Sequence, residues 1–172
     1  VASSIVKCLI FAIVTILSNG LSAFSGNETF SYIMEALYRF SFDLMLIYVL
    51  QYSQQYTRVF HEVSPFKKGC FIIAYLDGIL LFLNIIFHNV FTIETVRFPN
   101  FDMYHVADKS IIFYFHYVFA YGLVVCIIAS FIIKIIQIPD FYRKKYLPIL
   151  VLICVITVSK FICGISEFPI DV

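Results

Sequence analysis

The stretch from Gly69 to Phe91, GCFIIAYLDGILLFLNIIFHNVF, constrains the fold more than any other, because it is long enough to cross a bilayer and yet carries Asp77, Asn84 and His88. About 20 apolar residues span a hydrocarbon core about 30 Å thick, so the run reads as a transmembrane helix. On a helix, Cys70, Ala74, Asp77, Leu81, Asn84 and His88 follow one another at steps of four, three, four, three and four, which lines them along one face. Lipid cannot hydrogen-bond a carboxylate, an amide or an imidazole. That face must therefore turn toward other protein, or toward water held inside a bundle.

Composition extends the point to the whole chain. Of its 172 residues, 62% are hydrophobic and 13% charged, with a mean hydropathy of +0.94; a soluble domain is closer to half apolar and about a quarter charged. The expected fold class is all-α, a polytopic helical membrane bundle whose first partner is the lipid bilayer. The net charge of +1 carries no information about partners, and nothing basic enough for nucleic acid is present. Cys8, Cys70, Cys126, Cys154 and Cys163 all fall in apolar runs without a CxxC pair, and they read as small buried hydrophobes. The chain starts at Val1 and stops at Val172 just after an apolar run, which reads as a piece of a longer protein; no signal peptide is recognisable.

Four further runs accompany the first, giving spans at about 5–24, 32–52, 69–91, 110–136 and 147–165 in a single domain, 1–172. The run from Ile5 to Phe24 places Thr15, Ser18 and Ser22 on one face, a spacing of small hydroxyls suited to close helix packing. The run from Tyr32 to Tyr52 carries Glu35, Arg39 and Asp43 at successive steps of four, so the three charges share a face and can pair. Pro65 is expected to end any helix in the connection that follows. Thr92 to Lys109 reads as a long polar loop. The run from Ser110 to Ile136 sets Tyr114, Tyr117 and Tyr121 on one face with His116 nearby, and Lys134 at its far end. The last run, Leu147 to Ile165, begins with Pro148 in a first-turn position and aligns Thr157, Lys160, Gly164 and Glu167.

Basic residues set the orientation. Lys7, the connection 51–68 and the segment 134–145 hold eight of the twelve Lys and Arg, against Arg97 and Lys109 in the opposite loops. The N-terminus of the piece is therefore expected in the cytoplasm and its C-terminus outside the cell membrane. Glu35, Arg39, Asn84, His88, His116 and Lys160 then fall in the outer half of the bilayer, with Asp43 and Asp77 near the middle.

Two readings of this layer stay open. The charges could simply pair, Arg39 with Glu35 or Asp43 and Lys160 with Asp77 or Glu167, and so fix the helix packing. Alternatively they line an outward-facing cavity for a small ligand or protons, since each ionisable group near the bilayer centre costs at least about 2.5 kcal/mol. His88 and His116 stand on different helices without a third ligand, so no metal and no cofactor is expected. Enzyme signatures are missing too: there is no glycine-rich phosphate loop, HExxH or GxSxG, and no catalytic residue is assigned.

The segments ALYRFSFDLMLIYVLQYSQQYT (Ala36 to Thr57), LFLNIIFHNVF (Leu81 to Phe91) and FHYVFAYGLVVCIIASFIIKIIQIPDFYRKKYLPILV (Phe115 to Val151) together resemble the N-terminal seven-transmembrane region of bacterial sensor histidine kinases and some diguanylate cyclases. Tyr56 with Thr57, Asn84 with His88, Pro139 with Tyr142 and Arg143, and Pro148 match features of that region. The resemblance implies a fragment holding helices two to six of seven. It implies a sensor of a small ligand or condition on the outer side, regulating a cytoplasmic kinase or cyclase output domain in the same chain, and a homodimer is compatible with it. A transporter or channel fragment, with the same charges along a substrate path, is the alternative; no internal repeat supports it.

Overall fold

A computed structural model describes residues 2–24, 27–58, 64–97 and 102–165. The chain is mostly helical: α1 (Ala2–Phe24), α2 (Glu28–Thr57), α3 (Ser64–Phe87), α4 (Ile111–Gln137) and α5 (Asp140–Ile165), with strands β1 (Phe91–Arg97) and β2 (Asp102–Lys109) between α3 and α4. Three of these helices, α1, α3 and α4, are long and apolar enough to cross a membrane. Their outer faces carry bare aliphatic side chains; Ile16, Ile86 and Val118 are each 71% exposed. An apolar surface that extensive suits lipid and not water.

The α2 helix differs because its sequence differs. Glu35, Arg39 and Asp43 would be costly against lipid, and α2 packs against α1, α3 and α4, with all three charges buried. Its start is fixed by Asn27, whose side-chain oxygen accepts from the backbone N–H of Phe30 at 3.1 Å, and its end by Arg58 in the left-handed region (φ 53°). The hydroxyl face of α1 seats against it as the spacing predicts: Thr15, Ser18 and Ser22 are buried, and the Ser31 hydroxyl donates to the Ser22 carbonyl at 2.8 Å.

Several local expectations are corrected. The segment 92–109 is not a loop throughout; β1 and β2 pair antiparallel from Phe91↔Lys109 to Arg97↔Asp102, with an irregularity between Phe91 and Ile93. Pro65 does not end a helix but sits in the first turn of α3, where its missing N–H leaves no bond unmade. Pro148 lies inside α5, which begins at Asp140, several residues before the expected start. Arg143 at this junction donates from Nε to the Ile135 carbonyl at 3.1 Å, a cation at the C-terminal end of α4.

Two apolar clusters hold the bundle. One joins Leu44 and Ile47 of α2, Cys70 and Ala74 of α3, and Leu123 and Ile127 of α4. The other, at the hairpin end, joins Tyr32, Ala36, Leu81, Phe91 and Phe113. Along the three helices, Arg39 and Asp43 of α2, Asp77 of α3 and His116 of α4 fall between the two clusters, while Glu35 of α2 lies among the members of the hairpin-end cluster. Where α2 and α3 cross, Gly78 admits the Phe40 ring; a Cβ there would stand 2.5 Å from its edge.

Candidate functional site

The layer begins on α2. One helical turn separates Glu35 from Arg39, and the two form a buried ion pair from guanidinium Nη2 to carboxylate Oε1. The Ser22 hydroxyl lies 3.3 Å from the other Glu35 oxygen. The Arg39 guanidinium carbon stands 4.3 Å from the Phe113 ring centre, with Tyr38, Phe91 and Tyr117 within 6 Å. Aromatic faces stabilise a cation deprived of water, so this arginine is held by a carboxylate on one side and rings on the others.

One turn deeper, three helices each contribute one group. His116 Nδ1 of α4 lies 2.7 Å from Asp77 Oδ2 of α3 and 3.4 Å from Asp43 Oδ2 of α2. All three side chains are buried, and Asp43 is completely so. Among the described residues, neither oxygen of Asp43 accepts a hydrogen bond. That arrangement is unusual, because a buried carboxylate without hydrogen bonds is among the most costly groups a fold can carry. The Glu35–Arg39 pair is neutral by itself. The remaining trio therefore has two carboxylates against a single imidazole, whose charge can offset one of them at most.

Asn84 is also fully buried, yet it has a different job. Its Nδ2 donates to the Phe91 carbonyl at 2.9 Å, while its Oδ1 accepts from the backbone N–H groups of Val90 at 2.7 Å and Phe91 at 3.3 Å. It clamps the start of β1 to α3. His88 lies beyond the end of α3 in the left-handed region (φ 47°), exposed, with its ring 4.5 Å from that of Tyr32. The Tyr32 hydroxyl in turn accepts from the Ile93 backbone at 3.0 Å. The structure thus places Asn84 and His88 with the hairpin and brings Asp43, Asp77 and His116 together, with Glu35 and Arg39 beside them. Lys160 belongs to α5, and its side chain lies outside the described residues.

A cavity of about 420 Å³ opens between α1, α2, α4 and α5. Arg39, His116, Tyr117 and Tyr121 stand on its wall, but most of the lining is apolar, and Asp43 and Asp77 are not part of it. Tyr117 and Tyr121 stack at 6.2 Å, whereas Tyr114 on the same stripe faces outward.

The helical spacing of Glu35, Arg39 and Asp43 finds one wall of the site, but the trio itself is not readable from any single helix. The carboxylate nearest to His116 in sequence is Asp108, eight residues away, and only the crossing of α2, α3 and α4 brings the imidazole between Asp43 and Asp77. Compared with protein-family models, curated proteins and solved structures, the chain has no match.

Proposed function

We propose that this chain is the membrane-embedded sensory and signal-relay region of a bacterial signal-transduction protein, responding to a small ligand or condition from the outer side and regulating a cytoplasmic histidine kinase or diguanylate cyclase. The observation that carries this reading is the convergence of one ionisable side chain from each of α2, α3 and α4, buried between two apolar clusters. Asp43 adds to it: fully buried, it has His116 at 3.4 Å but no hydrogen bond among the described residues, a costly state that packing alone gives no reason to keep. A ligand that engages the three helices more tightly in one packing than in another shifts the balance between them by that difference in affinity.

In this reading all five helices cross the bilayer. The charges on α2 face inward, so its lower hydropathy is no obstacle to spanning. Basic residues at the end away from the hairpin, among them Lys67, Lys68, Arg143 and Lys144, favour a cytoplasmic location for that end. The hairpin and the polar layer then lie toward the outside.

The test uses the full-length protein in its native membrane, with kinase or cyclase output as the readout. Asp77→Asn and Arg39→Leu, each produced at normal membrane levels, should change basal or stimulated output. Wild-type output from both would remove the layer from signalling. A transporter is the second reading, favoured by the cavity that reaches Arg39 and His116; solute uptake in proteoliposomes lost on Asp77→Asn would support it over the sensor.

A further inference from the structure

We propose that Asp43, Asp77 and His116 form a binding site for a divalent first-row transition-metal cation. One ligand atom from each residue can be chosen so that all three lie within 4.8 Å of one another. Ligand atoms about 2.1 Å from a tetrahedral ion stand about 3.4 Å apart. The His116–Asp43 separation is already 3.4 Å, and the His116–Asp77 contact of 2.7 Å has only to open by a fraction of an ångström.

Three features point the same way. The first is Asp43, whose fully buried carboxylate faces His116 and is without hydrogen bonds among the described residues, as a ligand awaiting an ion would be. The second is charge. Two carboxylates and a neutral imidazole sum to minus two, which a divalent cation cancels, and such a balance matters most in a low-dielectric interior. The third is the donor set: one imidazole with two carboxylates suits Zn²⁺, Fe²⁺ or Mn²⁺, whereas Ca²⁺ and Mg²⁺ prefer oxygen ligands alone. The histidine pair His88 and His116 does not form such a site, because the structure sets His88 at the hairpin; the further ligands come from carboxylates on neighbouring helices.

Binding exchanges ions in a balanced way. The proton held between His116 Nδ1 and Asp77 Oδ2 leaves to solvent while Nε2 keeps its hydrogen, so the imidazole binds as the neutral ligand; Nδ1 and the two carboxylates each donate a lone pair to the metal, and the remaining coordination positions are open to water or a ligand. As a bound ion the cation depends on this geometry alone; as the sensed ligand it rests on the sensory reading above.

The full chain is purified in detergent, stripped with chelator, and equilibrated with Zn²⁺ or Mn²⁺ before metal content is measured. One Zn²⁺ per chain is expected, with affinity reduced at least about tenfold in Asp43→Asn and in His116→Gln and unchanged in His88→Gln. Loading of wild type with Co²⁺ gives a second readout that needs no variant to fold: ligand-field bands without thiolate-to-metal charge transfer. Failure of wild type to take up either metal, full stoichiometry retained in folded Asp43→Asn and His116→Gln, or a thiolate band would overturn the site. Metal uptake with no response of output to metal would leave the site standing and count against the sensory reading, and output that depends on Asp77 in a protein that takes up no metal would do the reverse.

Discussion

Two buried polar centres lie within a few turns of each other in this bundle, and they are satisfied to very different degrees. At the hairpin end, Asn84 makes three hydrogen bonds to the backbone of Val90 and Phe91, and Arg39 has both a carboxylate and a ring at hand. One layer deeper, His116 is shared between Asp77 and Asp43, and Asp43 accepts no hydrogen bond among the described residues. A polar group whose valences are filled by its own fold is built to hold that fold together. A polar group left short costs the fold stability and calls for a reason beyond packing. The comparison sets a centre filled by its own fold against one that the fold leaves short, which is the contrast the proposed sensory reading draws on.

Substitutions can break or sharpen that contrast, and the largest effect belongs to the satisfied end. Glu35→Leu strips Arg39 of its carboxylate and leaves a buried cation, which should lower stability by about 3 to 5 kcal/mol in denaturant unfolding from mixed micelles. Asn84→Leu leaves two backbone N–H groups and one carbonyl at the base of β1 without their side-chain partner, and about 3 kcal/mol is expected in the same measurement. Gly78→Ala drives a methyl into the Phe40 ring beside Asp77; a loss of about 1 to 3 kcal/mol should accompany weaker coupling of α2 to α3. The smallest effect is expected at the unsatisfied end. Asp43→Leu in metal-free protein should lie within about 1 kcal/mol of wild type, on the stabilising side, because it removes a buried charge that a histidine shared with Asp77 offsets only in part. Should Asp43→Leu cost as much as Asn84→Leu, the two centres are alike and the contrast is lost.

How much of this could be read from residues alone follows from how local each feature is. The charged face of α2 and the buried stripe Cys70, Ala74, Asp77, Leu81 and Asn84 of α3 depend only on helical period, and both are enclosed as that period predicts. The same stripe fails at its last member, because α3 stops at Phe87 and His88 turns into a left-handed conformation. The hairpin escapes sequence reading since β1 and β2 carry Glu94, Arg97, Asp102 and Asp108 in a polar segment, and their pairing is anchored from outside by Asn84 and Tyr32. Pairing among the charges is equally nonlocal. Arg39 could reach either Glu35 or Asp43 by spacing; the aromatic surroundings and Ser22 go with Glu35, while His116 takes the place beside Asp43.

The most direct measurement is a double-substitution cycle on output in the full-length protein, with Asp77→Asn, His116→Gln and the two combined at matched membrane levels. A single receptive centre requires each substitution to alter output and the pair to do no more than the stronger of the two. Effects that simply add, or output left at wild-type level throughout, would contradict it.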